Sequence, residues 1–422
     1  MTVPPLLARL LIRSGAVRLL PGLQRRLEGG AEFLRYYSDR LLGSPLAQLE
    51  RIAGCLGPDS PDVIDLAGGS PRFDLVPSAN TRLPADRRGW PDAAGLPELR
   101  GAVAAKLLAE NRLAYSPAEE VLITQGALGA VQVALDAFVN RGNRVVLLDP
   151  VSPMYPLLAR ARGASVRWVG TRAEGGRQRL RFDQLARGLH GARLLVLVSP
   201  ANPTGAAPSA EDLEQVVWWA CRHDVLILAD EVFERFAYDT EPVSVATLPQ
   251  ARTRTLTVGS LSKSHALASA RVGWIAAHRH LLRPCLATAA LRCPFVPTLS
   301  QLQGLAALRT GPSAFAPVLA QMEARRRYAH DRLLAMGLEP ALPAAGFYFW
   351  LPVPSSWDSG RALADALLAV HRVRVAPGDL FGPSGSRHVR LSFVTDDGRL
   401  EEGLNRLAQL VQGPRRRALK AA

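Results

Sequence analysis

The chain has 422 residues, 48% of them hydrophobic and 21% charged, and a formal net charge of +14. That balance excludes wholesale disorder, no apolar stretch approaches the 18 or so residues of a membrane span, and the length exceeds what one core supports, so two domains are expected. Of the 51 basic residues only Lys106, Lys263 and Lys420 are lysines. Such a skew reads as codon bias rather than as a nucleic-acid surface, and the basic tail at Arg415, Arg416 and Arg417 reads as a solvated terminus.

In chain order, Arg9, Arg13 and Arg18 interrupt every early apolar run, so no secretory core forms. The first segment reads instead as an amphipathic extension packed on the body. Strand patterns follow at 64–66, 121–124, 145–148, 166–169, 194–198, 225–228 and 255–258. After the 121–124 run, apolar residues at Leu128, Val131, Leu135 and Phe138 mark one helix face. Gly142 is placed to end that helix in a left-handed conformation. Another helical pattern covers 210–222. Near-continuous apolar strands alternating with helices imply a sheet covered on both faces, with ligands collecting at one edge. From residue 313 the pattern changes. A long helix is expected over 314–336, strands at 347–351, 373–375 and 389–393, and a closing helix over 403–411. Cys55, Cys221, Cys285 and Cys293 form no CxxC pair, which argues against a disulfide scaffold and a cysteine zinc site and fits a reducing, cytoplasmic compartment.

Four polar segments interrupt or end these apolar strands: Asn202-Pro203-Thr204-Gly205, Asp230-Glu231, Ser260-Leu261-Ser262-Lys263 with Arg271 eight residues on, and Arg390 within 389–393. Singly, each has an ordinary reading as a turn, a helix cap, a surface lysine or a solvent-facing arginine. Their order on successive strand ends is what points to a site.

In these segments, extended to Asp230-Glu231-Val232-Phe233, Arg271-Val272-Gly273-Trp274 and Val389-Arg390-Leu391-Ser392-Phe393, the chain resembles the class I and II aminotransferases, pyridoxal-phosphate (PLP) enzymes of fold type I. The resemblance runs from about Asp65 to the end, with weaker matches at Gly95-Leu96-Pro97-Glu98-Leu99-Arg100 and Ala345-Gly346-Phe347. It implies an α/β fold: a large PLP-binding domain over 86–310 with a seven-stranded, mostly parallel sheet, and a small α+β domain over 311–422 to which the segment 1–85 contributes. It also implies a homodimer with active sites at the subunit interface. The implied reaction moves an amino group between an L-amino acid and a 2-oxo acid. Other reactions at the same α-carbon, such as decarboxylation, β-elimination or ring formation, stay open because orientation decides which bond breaks. A regulatory ligand sensor built on the same body would carry a helix-turn-helix, and the residues before Ile64 show no clear one.

The resemblance assigns roles that chemistry supports. Lys263 would form the imine with the cofactor aldehyde and act as base. A buried carboxylate at Asp230 would keep the ring nitrogen protonated, and Asn202 would bond the ring hydroxyl oxygen. Gly126 and Ala127, opening a helix, would hold the phosphate with Ser260 and Arg271. Arg390 would supply the planar fork for the substrate α-carboxylate, with Asn202 and the Gly68 backbone beside it.

The sequence departs from the family at four positions. Phe233 stands where a tyrosine usually donates to the cofactor oxygen, so the lysine–cofactor linkage is expected to hold its proton to higher pH. Ser152, with Tyr155 three residues on, stands where an aromatic ring usually stacks on the cofactor. Trp90 replaces a tyrosine that commonly reaches the phosphate from the partner subunit, and Ser269 replaces a glycine.

Overall fold

The computed structural model describes residues 62–75, 83–174 and 177–413. The N-terminal extension and the basic tail lie outside them. The main sheet is built from β2 (Val121–Gln125), β3 (Arg144–Asp149), β4 (Ser165–Glu174), β5 (Arg177–Leu180), β6 (Leu194–Val198), β7 (Leu226–Asp230), β8 (Thr255–Ser260) and β9 (Val272–Ala277). Its order is β2-β9-β8-β7-β6-β3-β4-β5. The five central strands from β8 to β4 run parallel, while β9 is antiparallel to both neighbours. The seven strands implied by the resemblance are joined by an eighth, because β4 runs on and turns back as β5. The strand β9 escapes a pattern reading because Gly273 interrupts its apolar run and Ala276 and Ala277 favour no strand.

Alternation along the strands fills both faces. Val145 and Leu147 join Val196, Leu228 and Ile275 under the helices Gly126–Phe138 and Arg279–Arg292. Val146 and Leu148 point the other way, to Leu195, Ile227 and the helix Ala210–Arg222. The helix after β2 ends at Phe138 on an extended Val139 rather than at Gly142. Gly142 does take φ +86°, but in the turn beyond, where its N–H donates to Gly163 O.

A second unit is built on β10 (Tyr348–Pro352), β12 (Ala376–Pro377) and β13 (His388–Ser392), with helices Ala316–Ala335, Gly360–His371 and Asp397–Gln412 against it. The long helix starts later than 314 because Pro312–Phe315 forms a 3₁₀ turn. Before the main sheet begins, β1 (Ile64–Asp65) pairs in parallel with β11 (Val373–Arg374). Ile64 and Leu66 therefore share a core with Phe347, Phe349 and Phe393, and so do Phe233 and Phe236 from the end of β7.

Candidate active site

Sheet register sets the site. Val198 lies opposite Asp230, Asp230 opposite Val258, and Ser260 opposite Gly273. In addition, Gln125 lies opposite Val272. The ends of β2, β6, β7 and β8 and the start of β9 therefore share one edge, the edge where open α/β sheets bind ligands. Every polar segment singled out from the sequence begins there or, for Arg390, reaches it from the second unit.

The first feature is a cradle at the start of the helix Gly126–Phe138, whose unpaired N–H groups suit an anion. Gly126 has φ +69°, and a Cβ on it would sit 2.6 Å from the Arg271 guanidinium. Arg271 donates to Gln125 O at 3.3 Å and to Ala268 O at 3.0 Å, which fixes it over the helix start. Gly273 lets β9 approach: a Cβ there would meet Gly126 C at 2.5 Å and Ala127 N at 2.8 Å. Ser260 caps the one-turn helix Leu261–Ser264, accepting from Ser262 N at 3.1 Å, with its hydroxyl also 3.0 Å from Val272 O.

Lys263 rises from that short helix. Its amine donates to Gly69 O. Burial, with Arg390 and Arg271 nearby, pulls the amine down to about 8, and Asp230 opposes the fall. Lys106, by contrast, is a buried partner of Glu234 and Glu110, so its amine is already engaged. Lys420 lies outside the described residues. Behind Lys263, Arg235 binds Glu110 at 2.9 and 2.5 Å and reaches His265 Nε2 at 3.2 Å. This charged layer anchors the turn that carries the lysine.

Asp230 is buried, and desolvation raises its carboxyl above the ordinary range. Tyr155 donates its hydroxyl to Asp230 Oδ2 at 2.6 Å, and Val232 N–H donates to Oδ1 at 3.2 Å; both favour the charged form. Tyr155 enters the sequence reading only as a ring near Ser152. It stands six residues past the end of β3, in the first turn of the helix Met154–Ala161.

Arg390 comes from β13. It donates to Ala67 O at 2.6 Å and to Asn202 Oδ1 at 2.9 Å. Its guanidinium lies 4.1 Å from the Tyr348 ring centroid and 4.8 Å from that of Phe381. Burial lowers its pKa, and its Nε is buried without a hydrogen-bond partner. A buried guanidinium N–H with nothing to bond suits a carboxylate ligand.

Four of the residues singled out earlier have the following surroundings. Gly68 gives its N–H to Asp65 Oδ1 at 3.2 Å, and a Cβ on it would strike Asp65. The glycine beside Lys263 is Gly69, one residue on, because the Asp65 turn ties up the Gly68 amide. Trp90 is 85% exposed and packs edge-on to Phe295 at 5.1 Å, so it does not reach the cradle of its own chain. Phe233 lies in the aromatic core, 5.3 Å from Phe347 and 5.9 Å from Tyr348. Ser152 sits half-buried before the helix Met154–Ala161, and its carbonyl accepts from Tyr155 N at 3.3 Å.

The remaining groups suit one ligand chemistry: a phosphate at the Gly126 cradle, a protonated ring nitrogen at Asp230 and a carbonyl carbon within reach of Lys263. The orphaned Arg390 Nε and the space only a glycine leaves under Arg271 are the observations that fit.

Comparison with known proteins gives the same direction. The aminotransferase class I and II profile matches residues 61–407. The chain is 31% identical to an aspartate aminotransferase of Pyrococcus abyssi over 360 residues, covering 83% of this chain and 92% of that one. It is 32% identical to an aspartate/prephenate aminotransferase of Thermus thermophilus, covering 83% and 91%. Among solved structures, the Thermus thermophilus aspartate aminotransferase with maleate superposes with a TM-score of 0.79 at 29% identity, covering 89% of this chain and 99% of that one. By profile, relatives and fold, this chain belongs to the class I and II aminotransferase family and is a transaminase.

Proposed function

We propose that this transaminase binds PLP in the cradle described above and moves an amino group between an L-amino acid and a 2-oxo acid. When bound, PLP supplies an aldehyde that takes up the amino group and a conjugated ring that withdraws electrons from the bond being broken. Gly126, Ala127, Ser260 and Arg271 hold its phosphate; Asp230, set by Tyr155, faces its ring nitrogen; and the Asn202 amide, whose oxygen is engaged by Arg390, faces its hydroxyl oxygen. Arg390 fixes the substrate α-carboxylate, with Asn202 and the Ala67–Gly68 backbone beside it. Held this way, the substrate presents its α-hydrogen to Lys263 Nζ, which takes the proton and returns it one bond away.

What supports this reading is the place of the Lys263 amine: among the described residues it is the one lysine at the sheet edge, bonded to Gly69 O, and burial with Arg390 and Arg271 brings it to about 8. A group so tuned has a useful fraction of neutral, nucleophilic amine at neutral pH, as a surface lysine does not. We assign 86–310 to the PLP-binding domain and 311–422, with the segment 1–85, to the smaller one. Trp90, turned outward beside Phe295, fits a homodimer in which it meets the partner's site. Cysteine usage supports a cytoplasmic location, and no helix among the described residues is long and apolar enough to cross a membrane.

The test is the visible spectrum of the purified protein during addition of single L-amino acids. A yellow chromophore that bleaches with one donor, releasing the matching 2-oxo acid, is expected. Release of CO₂ or ammonia instead would replace transamination with another α-carbon reaction.

A further inference from the structure

Lys263 has to hold its free amine still while it works, and the residues around Nζ show how. The amine donates one N–H to Gly69 O. A Cβ built on Gly69 would lie 2.0 Å from the Tyr348 hydroxyl oxygen and 3.7 Å from Lys263 Nζ. The phenol oxygen and the amine therefore both border the space that the missing Gly69 side chain leaves open, with only the Gly69 carbonyl bonded to the amine in this conformation. Tyr348 is buried on β10, next to Phe347, and its ring meets the edge of Phe233 at 5.9 Å. Phe233 brings no hydroxyl to this corner, so the phenol oxygen here is that of Tyr348. The same ring lies under the Arg390 guanidinium at 4.1 Å.

We propose that Tyr348 is a positioning residue for the catalytic amine: its hydroxyl oxygen accepts the second N–H of Lys263 while the Gly69 carbonyl accepts the first. A neutral amine has two N–H bonds and one lone pair. With both N–H bonds held, the lone pair has one direction left, toward the carbon from which the proton comes. Because the ring also supports the arginine that fixes the substrate carboxylate, one side chain sets the base and the acid end of the substrate relative to each other. This assignment rests on the reading of Lys263 as the reactive amine.

Two variants separate the hydroxyl from the ring. Tyr348→Phe keeps the surface under Arg390 and removes only the oxygen. The holoenzyme is compared using whichever α-deuterated L-amino acid bleaches the wild type. The kcat of the half-reaction is expected to fall about tenfold with a larger deuterium isotope effect, and KM to stay within about twofold. Tyr348→Leu removes the ring as well and is expected to raise KM. A readout independent of turnover is the acetic anhydride labelling of Lys263 in the full-length, cofactor-free chain, followed against pH by peptide mass. Without the phenol oxygen the ammonium loses an acceptor, so the ionisation constant should rise roughly threefold in Tyr348→Phe.

Unchanged kcat, isotope effect and labelling curve in Tyr348→Phe would overturn the assignment. So would a rise in KM with kcat untouched. If borohydride leaves no pyridoxyl tag on wild-type Lys263, the proposed function itself fails and the assignment falls with it. A tagged, active wild type beside an unaltered Tyr348→Phe removes the assignment alone.

Discussion

An ordinary lysine is protonated at neutral pH and a poor nucleophile. Lys263 differs because burial and two guanidinium groups disfavour its charge, leaving its pKa at about 8. Capture of the cofactor aldehyde needs the neutral amine, so its rate in the cofactor-free protein should rise with pH and level off above about 8. Arg390→Gln removes one cation and should raise the amine pKa, moving that profile to higher pH; stopped-flow absorbance reads it. Arg390→Lys tests the fork separately. A single ammonium cannot bond a carboxylate through two parallel donors, and the loss of about 1–3 kcal/mol predicts a KM rise of roughly 5- to 150-fold with the chromophore intact. Phe233→Tyr restores the hydroxyl the family usually carries. An absorbance titration of that holoenzyme should give a lower pKa than wild type, and an equal or higher value would count against the role inferred for this position.

Among the elements, the approach of β9 to the helix Gly126–Phe138 decides whether the phosphate cradle exists. Gly273→Ala would drive a methyl into the backbone at Gly126 and Ala127, at 2.5 and 2.8 Å. Backbone cannot step aside as a flexible side chain can, so a loss of about 2–4 kcal/mol in denaturant unfolding is expected, with weakened cofactor retention. The glycine was legible as part of the motif around Arg271, but its reason was not. Only pairing of β9 antiparallel to both β2 and β8 brings it against a segment nearly 150 positions earlier. The central parallel strand was legible for the opposite reason: 194–198 is apolar on both faces, as a strand covered on both sides requires. The role of Tyr155 was not legible in the sequence because its bond to Asp230 joins the helix Met154–Ala161 to the end of β7, 75 positions on. Gly68 and Gly69 are a similar case. The turn formed by Asp65 selects which of two adjacent glycines faces the lysine, and a carboxylate three residues away gives no sign of that in the sequence.

At the scale of the whole molecule, the site is a seam between two bodies. Arg390 reaches Asn202 from the smaller one, and Asp149 at the end of β3 accepts from Ser384 Oγ at 3.0 Å and from Ser384 N at 3.1 Å. Val151 N–H adds a bond to Phe381 O at 2.8 Å. In the proposed reading Lys263, Asp230 and the Gly126 cradle come from the main-sheet unit, and Arg390 from the unit built on β10, β12 and β13. Both bodies must hold their relative position for Lys263 to meet the α-carbon of a substrate fixed by Arg390. The most direct measurement is borohydride reduction of the purified protein followed by peptide mass mapping. The account predicts a permanent pyridoxyl group on the peptide containing Lys263 and none on the peptide containing Lys106. A colourless protein with no such group, even after incubation with excess PLP, would contradict it.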